Sequence, residues 1–180
     1  HSFIAQLDPD GKDLVRETKD IVDRVIGDLR HLSRTLNSEY LQRQSLRQWL
    51  STELEILRKS GTYEVDFVVE GEEAEINPQR NLLLIRIFQE GLNNVLRHAA
   101  ATAITVRVHF QEHLVTLILK DNGKGFDAAS VRRGMGLDSM HHRAALIGAS
   151  LNLSSLPGQG STLTLDIPYD TEGHILQRYP

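Results

Sequence analysis

The stretch that decides the fold is Phe88-Gln89-Glu90-Gly91-Leu92-Asn93-Asn94-Val95-Leu96-Arg97-His98-Ala99, which follows a helical pattern. Glu90 and Asn94 are one helical turn apart, so their side chains share one face of the helix. Asn93 points about 100° away from Asn94 in a helix of 3.6 residues per turn. An amide oxygen can bind Mg²⁺, and a carboxylate one turn away can hold or deprotonate an attacking group. The same pattern also fits the solvent-facing polar side of an ordinary amphipathic helix.

Basic and apolar residues complete this helix. Arg97 and His98 can meet phosphate, Arg97 with a fork-shaped set of donors. The opposite face carries Leu83, Leu84 and Ile87, which we expect to pack on a sheet. The pattern therefore predicts a helix that is buried on one side and offers polar groups on the other.

A second segment, Asp121-Asn122-Gly123-Lys124-Gly125-Phe126, follows the apolar strand-like run from Leu114 to Leu119. At the end of a strand, the Asp121 carboxylate can accept a hydrogen bond from an exocyclic amino group such as that of adenine. Gly123 and Gly125 permit a positive φ and a close approach of the backbone to a ligand. Asp-Asn-Gly is also a common choice for a simple tight turn.

Two further glycine motifs occur later in the chain. Gly134-Met135-Gly136-Leu137 precedes a predicted helix, whose free N–H groups and positive dipole end suit phosphate. The alternative for this motif is a flexible linker. Gly158-Gln159-Gly160-Ser161-Thr162 lies between two predicted strands, and by itself it indicates a hairpin turn.

Strands and helices alternate around these motifs, which favours a two-layer α/β sandwich. The predicted elements after Gly61 are a strand from Tyr63 to Val69, a helix from Pro78 to about Ala100, strands Thr102–Phe110 and His113–Lys120 with a hairpin turn at Gln111-Glu112, a loop from Asp121 to Gly136, a helix Leu137–Ile147, and strands Leu151–Leu156 and Ser161–Ile167.

The first sixty residues differ in pattern. Apolar residues recur at spacings of three and four from Leu14 to Leu36, as in a helix of a bundle or coiled coil. Asn37-Ser38 interrupts this stripe, and a second helix is predicted from Glu39 to about Lys59. We therefore expect a helical segment over 1–60, an α/β domain over 61–170, and a tail over 171–180 without a predicted structure.

Composition limits the classes of function. The chain has 180 residues, a net charge of −4 and a pI near 6.1, which argues against nonspecific nucleic-acid binding. It has no cysteine, so disulfides and thiol catalysis are excluded. No apolar run reaches the roughly 20 residues that span a bilayer. The chain begins at His1 without Met, as expected of a piece of a longer protein, whose other parts could include a membrane span.

The order and spacing of the four motifs resemble the ATP-binding boxes of the superfamily that contains gyrase, the Hsp90 chaperones, histidine kinases and MutL. Residues 88–99 look like the asparagine box, 121–126 like the first glycine box, 134–137 like the second and 158–162 like the last. The wording is closest to sensor histidine kinases of two-component systems, in the nitrate-sensor and thermosensor subgroup, whose short lid would be residues 127–133. The resemblance covers residues 61 to 168 and, more loosely, the leading helices. It implies a Bergerat-type α/β fold preceded by a helical dimerisation segment.

The resemblance also implies roles at both ends of an ATP molecule with Mg²⁺. At the phosphate end, Asn94 would ligate Mg²⁺ and Glu90 would act as the base. The other residues implied at this end are Arg97, His98, Gly134, Gly136 and Leu137. At the adenine end, Asp121 would bind the amino group. Its pocket would be shaped by Gly123, Gly125, Gly160 and Thr162, with Ser161 in a place where the family often has Thr.

A histidine kinase also needs an acceptor histidine followed by an acidic residue, and the sequence has no such pair. His31 lies on what would be the second helix of the acceptor hairpin, and His141 and His142 lie beyond the lid. We therefore expect this chain to bind ATP with Mg²⁺ without phosphorylating itself. The resemblance implies a response regulator as partner, a homodimer in the full-length protein, no nucleic acid, and a cytoplasmic domain of a sensor that can be membrane-bound.

Three other functions remain open from the sequence. One is a nucleotide-sensing and dimerisation module that does not transfer phosphate. Another is an ATPase of the gyrase or Hsp90 kind, which would need a longer lid and a following transducer domain. The third is a protein-serine kinase of the anti-sigma type, which would not need the leading helices.

Overall fold

A computed structural model of the chain describes residue 18 and residues 44–73, 75–127 and 135–169. The predicted helix from Leu14 to Leu36 lies outside these residues except at residue 18. His31, the lid after Asp127, Gly134 and the tail also lie outside them. The described elements, numbered here in chain order, are α1 (Leu46–Lys59), β1 (Glu64–Glu70), α2 (Pro78–Asn94), β2 (Ala103–Gln111), β3 (Leu114–Asp121), α3 (Met135–Leu146), β4 (Ser150–Ser155) and β5 (Ser161–Pro168).

The five strands form one sheet in the order β1-β2-β3-β5-β4. β1 runs parallel to β2, and the other neighbours are antiparallel. Alternate residues of β2, β3 and β5 are buried. Gly91 of α2 packs against this buried side of the sheet, where an added Cβ would come within 2.7 Å of the Leu163 side chain and 3.2 Å of the Leu119 side chain. Helices on one face of a mixed sheet confirm the predicted two-layer α/β sandwich.

α1 is shorter than predicted and belongs to the same compact unit as the sheet. The helix begins after Ser45, whose hydroxyl accepts from the Gln48 N–H while the Gln48 side chain accepts from the Ser45 N–H. Its apolar stripe is buried, and Trp49 packs edge-to-face on Phe88 at 5.8 Å between ring centroids. The chain divides into two compact units between Leu41 and Gln42, and α1 belongs to the second. The apolar side of this second predicted helix therefore packs in the α/β core, whereas the bundle-like stripe from Leu14 to Leu36 is not tested by the described residues.

The start of α1 is fixed by polar contacts to the chain that leads into α2. The Glu73 carboxylate accepts from the Ser45 hydroxyl at 3.0 Å and from the Arg47 N–H at 2.9 Å. The Asn81 amide, which is 4% exposed, donates to the Gln44 carbonyl at 2.7 Å. These contacts order the residues on both sides of the α1 N-terminus.

Several element boundaries differ from the sequence prediction by one residue or more. The predicted helix to Ala100 ends as an α-helix at Asn94 and continues as a π-helix, Val95–Ala99, before Ala100 takes a left-handed φ of 51°. Gln111 pairs with Leu114, so the hairpin turn lies at residues 112–113 instead of 111–112. α3 begins at Met135, two residues before the predicted start.

Candidate nucleotide site

Asp121 is the centre of the site because the sheet buries it and fixes both of its carboxylate oxygens. It is the last residue of β3 and is 2% exposed. Its Oδ1 accepts from the Gly123 N–H at 2.8 Å, and its Oδ2 accepts from the Ser161 hydroxyl. Pairing of β3 with β5 brings these residues together, since Lys120 lies opposite Thr162. The carboxylate therefore has one defined orientation.

Glycine is required around Asp121 because backbones approach each other closely. Gly160 has a φ of +73°, and an added Cβ would lie 2.0 Å from the Asp121 carbonyl oxygen. At Gly123 an added Cβ would lie 2.3 Å from the Ala99 carbonyl oxygen. Gly125 has a φ of +58°, and its Cβ would lie 2.0 Å from the Leu156 carbonyl oxygen. No side chain fits at these three positions without displacing backbone.

Backbone hydrogen bonds through Lys124 join three of the sequence motifs. The Lys124 N–H donates to the Ala99 carbonyl at 2.8 Å, at the end of the π-helix. The Lys124 carbonyl accepts from the Gly158 N–H at 2.7 Å. The helix that carries Glu90 and Asn94 is thus linked by backbone hydrogen bonds to the first glycine segment (residues 121–126), which is in turn linked to the last (residues 158–162).

The polar residues of the first motif lie along the end of α2 and the π-helix. Glu90 and Asn94 are partly exposed, and Arg97 and His98 are exposed. Glu90 also contacts the start of α3, because a Cβ added to Gly136 would lie 2.2 Å from the Glu90 Oε1. A π-turn often marks a functional site, and it changes the direction of the residues after Asn94 from that of a regular α-helix.

A cationic pair lies between α2 and α3, one turn before Glu90. Burial lowers the pKa of Arg86 from its ordinary value, and the nearby charge of Arg143 lowers it further. The Arg86 guanidinium lies 3.4 Å from the Gln89 side-chain oxygen. Arg86 lies four residues before Glu90, so the two side chains share one face of α2.

The structure brings together many of the residues that the sequence singled out. Asp121, Gly123 and Gly160 are in direct contact. Leu137 lies partly buried in the first turn of α3. Thr162 lies on β5, but strand alternation turns its side chain to the face opposite Ser161. The hydroxyl that reaches Asp121 is therefore that of Ser161.

Two structural residues of the site were missed by sequence reasoning. Ser155, at the end of β4, accepts from the Phe126 N–H at 2.9 Å and donates to the Gly160 carbonyl at 2.8 Å. The Asn122 side-chain oxygen accepts from the N–H groups of residues 102 and 103, each at 2.9 Å. The Asp-Asn-Gly turn signal pointed to Asn122, but a single Ser before Leu-Pro-Gly carries no comparable signal.

The described part of the chain contains neither a cluster of metal-ligating side chains nor a membrane-spanning helix. Across residues 44–73, 75–127 and 135–169, no three His, Asp or Glu side chains are grouped as metal ligands. No helix in that part of the chain is long and apolar enough to cross a membrane.

Comparison with known proteins agrees with the motifs. Residues 79–171 match the family described as histidine kinase-, DNA gyrase B-, and HSP90-like ATPase. The chain is 28% identical over 159 residues to the signal transduction histidine-protein kinase/phosphatase DegS of Brevibacillus brevis, covering 88% of this chain and 41% of that protein. It is 31% identical over 150 residues to UhpB of Salmonella typhimurium, a protein of the same description, covering 83% and 29%.

Solved structures show the same fold. The blue-light activated histidine kinase of Erythrobacter litoralis matches with a TM-score of 0.62 at 18% identity, over 79% of this chain and 49% of that chain. The histidine kinase AdeS of Acinetobacter baumannii matches with a TM-score of 0.55 at 15% identity, over 91% and 86%. The chain thus spans less than half the length of the two sequence relatives. Its sequence and fold place it in the family of histidine kinase-, DNA gyrase B- and HSP90-like ATPases.

Proposed function

We propose that this chain is the ATP–Mg²⁺-binding catalytic domain of a sensor histidine kinase. It donates the γ-phosphate of ATP to a histidine on a separate acceptor helix, for onward transfer to a response regulator. The supporting observation is the buried carboxylate of Asp121, fixed by Gly123 and Ser161 and linked through Lys124 to the helix that carries Glu90. The similarity to named sensor kinases favours this function over other ATPases.

The adenine end of the site fits an amino group. A carboxylate offers about four acceptor positions. Gly123 and Ser161 each use one of the Asp121 oxygens, so the carboxylate keeps capacity for another donor. The glycines beside it let neighbouring backbone segments pack closely around the carboxylate, because an added Cβ at Gly123, Gly125 or Gly160 would collide with a backbone carbonyl oxygen. We assign Asp121 to the adenine amino group, with Gly123, Gly125 and Gly160 as the walls, and Ser161 in place of Thr162.

The phosphate end is assigned to the end of α2 and the start of α3. Asn94 would supply an amide oxygen to Mg²⁺, which prefers hard oxygen ligands and also binds phosphate oxygens. Arg97 and His98 are exposed and can donate to phosphate. Gly136 and Leu137 lie in the first turn of α3, where backbone N–H groups have no partner within the helix and can face an anion. We also assign Gly134 to the phosphate end, as the resemblance implies.

Glu90 is assigned as the base. When bound, ATP supplies the phosphoryl group and Mg²⁺ neutralises charge on it, so the protein chiefly positions and stabilises. Glu90 is partly exposed and is held against Gly136. From there its carboxylate can orient the attacking imidazole and accept its N–H proton.

We also propose how this domain is arranged within the full-length protein. In the full-length protein the helical segment would pair with a second copy, and the acceptor histidine would be presented from that region. The catalytic domain would face the cytoplasm, where ATP and the response regulator are found. His31 is not expected to accept phosphate, so this chain alone should remain unlabelled.

A transfer assay tests the function. The chain is incubated with γ-labelled ATP and Mg²⁺, with and without a separately purified acceptor hairpin from a similar sensor kinase. Label on the acceptor histidine, lost in Glu90→Gln while ATP binding remains, is the expected result. Binding without transfer in any pairing would favour the nucleotide-sensing module. Steady hydrolysis of ATP that needs no acceptor would favour a gyrase-like or Hsp90-like ATPase.

A further inference from the structure

Ser155 is a residue with no assigned role that connects two segments of the site. It is partly buried at the end of β4. Its hydroxyl accepts from the Phe126 N–H at 2.9 Å and donates to the Gly160 carbonyl at 2.8 Å. Phe126 ends the first glycine segment and Gly160 belongs to the last, so one hydroxyl joins backbone groups that are 34 residues apart in sequence (160 − 126).

The two partners of Ser155 are placed where movement would reach Asp121. Gly160 packs its Cα against the Asp121 carbonyl so tightly that a Cβ would lie 2.0 Å from that oxygen. The next residue, Ser161, donates its hydroxyl to Asp121 Oδ2. A shift of Gly160 therefore changes both the backbone contact and the hydrogen bond that orient the carboxylate.

Only a side chain that both donates and accepts can make these two bonds at once. A hydroxyl does so with one oxygen, whereas alanine would leave an N–H and a carbonyl without their partner. Loss of such bonds weakens the structure even where water can partly replace them. The neighbour Ser154 is exposed on the other side of β4 and offers a matched control.

We propose that Ser155 is a positioning residue for adenine recognition, acting through Gly160 and Ser161 on the Asp121 carboxylate without touching the nucleotide. This inference rests on the proposed ATP-binding function. It predicts that the effect of Ser155 is the same for ATP and ADP, because both share the adenine, and that the effect disappears when the Asp121 carboxylate is replaced by an amide.

The test is a double-mutant cycle measured by titration with ADP and with a nonhydrolysable ATP analogue plus Mg²⁺. Ser155→Ala should weaken both ligands by about five- to tenfold, and Ser154→Ala by less than twofold. In an Asp121→Asn background, Ser155→Ala should weaken binding by less than twofold more. Ser155→Thr keeps the hydroxyl and should restore affinity to within twofold of the original chain.

Several outcomes would overturn the inference. These are unchanged affinity in Ser155→Ala, fully additive effects of Ser155→Ala and Asp121→Asn, a loss confined to the ATP analogue, or a Thr variant as weak as the Ala variant. If Ser155→Ala does not fold, Ser155→Cys provides the same comparison, because its thiol is a weak donor of similar size. Absence of ADP and ATP binding by the unchanged chain would instead refute the proposed function.

Discussion

Gly158 and Gly160 lie in the same turn. Replacing each by alanine distinguishes the energetic cost of a left-handed backbone conformation from the additional cost of a steric clash. Gly158 has a φ of +78° and Gly160 a φ of +73°. Alanine at either position pays about 1–2 kcal/mol for the left-handed conformation. A Cβ at Gly158 meets nothing within 4 Å, whereas one at Gly160 would lie 2.0 Å from the Asp121 carbonyl oxygen. The pair is therefore a matched comparison.

The expected magnitudes follow from this difference. Gly158→Ala should lower the free energy of unfolding by about 1–2 kcal/mol and change ATP affinity by less than twofold. Gly160→Ala must also move the start of β5 away from the end of β3, because non-bonded carbon contacts normally need about 3.5 Å. That movement breaks the bond from Ser161 to Asp121, which adds about 1–3 kcal/mol. The misplaced carboxylate should weaken ATP binding at least about tenfold.

Urea unfolding and calorimetric titration measure the two effects. Trp49 is the only tryptophan of the chain and packs in the core on Phe88, so its fluorescence reports unfolding. Titration with a nonhydrolysable ATP analogue gives the affinity of each variant. Equal stability and equal affinity of Gly158→Ala and Gly160→Ala would refute the close approach of β5 to Asp121.

Three further predictions concern separate parts of the molecule. Asn94→Ala should remove the Mg²⁺-dependent part of ATP-analogue affinity and leave the part measured with EDTA, and an equal loss in both conditions would exclude Asn94 as a metal ligand. Glu73→Ala should lower the free energy of unfolding by about 1–2 kcal/mol, because the Ser45 hydroxyl and the Arg47 N–H at the start of α1 lose their acceptor. The control is Glu72→Ala at the exposed neighbouring position, which should lower the free energy of unfolding by less than about 0.5 kcal/mol. The hydrogen bond from Arg107 lowers the pKa of Asp66, so this pair contributes stability at neutral pH that is lost as pH falls through the lowered pKa. NMR titration should show the Asp66 midpoint rise in Arg107→Gln, and an unchanged midpoint would contradict the pairing.

The sequence predicted the layers of the fold because the local patterns were strong. β2 alternates between buried and partly exposed residues, as its alternating sequence indicated. Leu84 and Ile87 are fully buried on α2, as expected of its apolar face. The strand order could not be predicted, because the placement of β5 between β3 and β4 depends on pairing between distant segments.

The limits of the site prediction also have physical causes. The start of β5 at Ser161 was predicted, but which hydroxyl of the last glycine motif faces Asp121 depends on the pairing of β5 with β3, a contact between distant segments. The π-turn after Asn94 has no sequence signature that distinguishes it from a continued α-helix. Ser155 acts through backbone atoms of other segments, so only the three-dimensional structure reveals its contacts.

The start of α1 shows how one pattern can fit two structures. Its apolar stripe has the spacing of a bundle helix and of a helix that packs on a sheet. Contacts of Leu46, Trp49 and Leu50 in the α/β core decide between them, and these contacts depend on residues far along the chain.

The most direct test of the nucleotide site is the affinity of the chain for a nonhydrolysable ATP analogue with Mg²⁺ before and after Asp121→Asn. The matched control is Asp166→Asn, which removes the same charge from a carboxylate that accepts from Thr116 on the outer face of the sheet. The account predicts saturable binding to the original chain, a loss of at least about tenfold in Asp121→Asn, and a change below twofold in Asp166→Asn. No binding by the original chain, or equal affinity of the two variants, would contradict it.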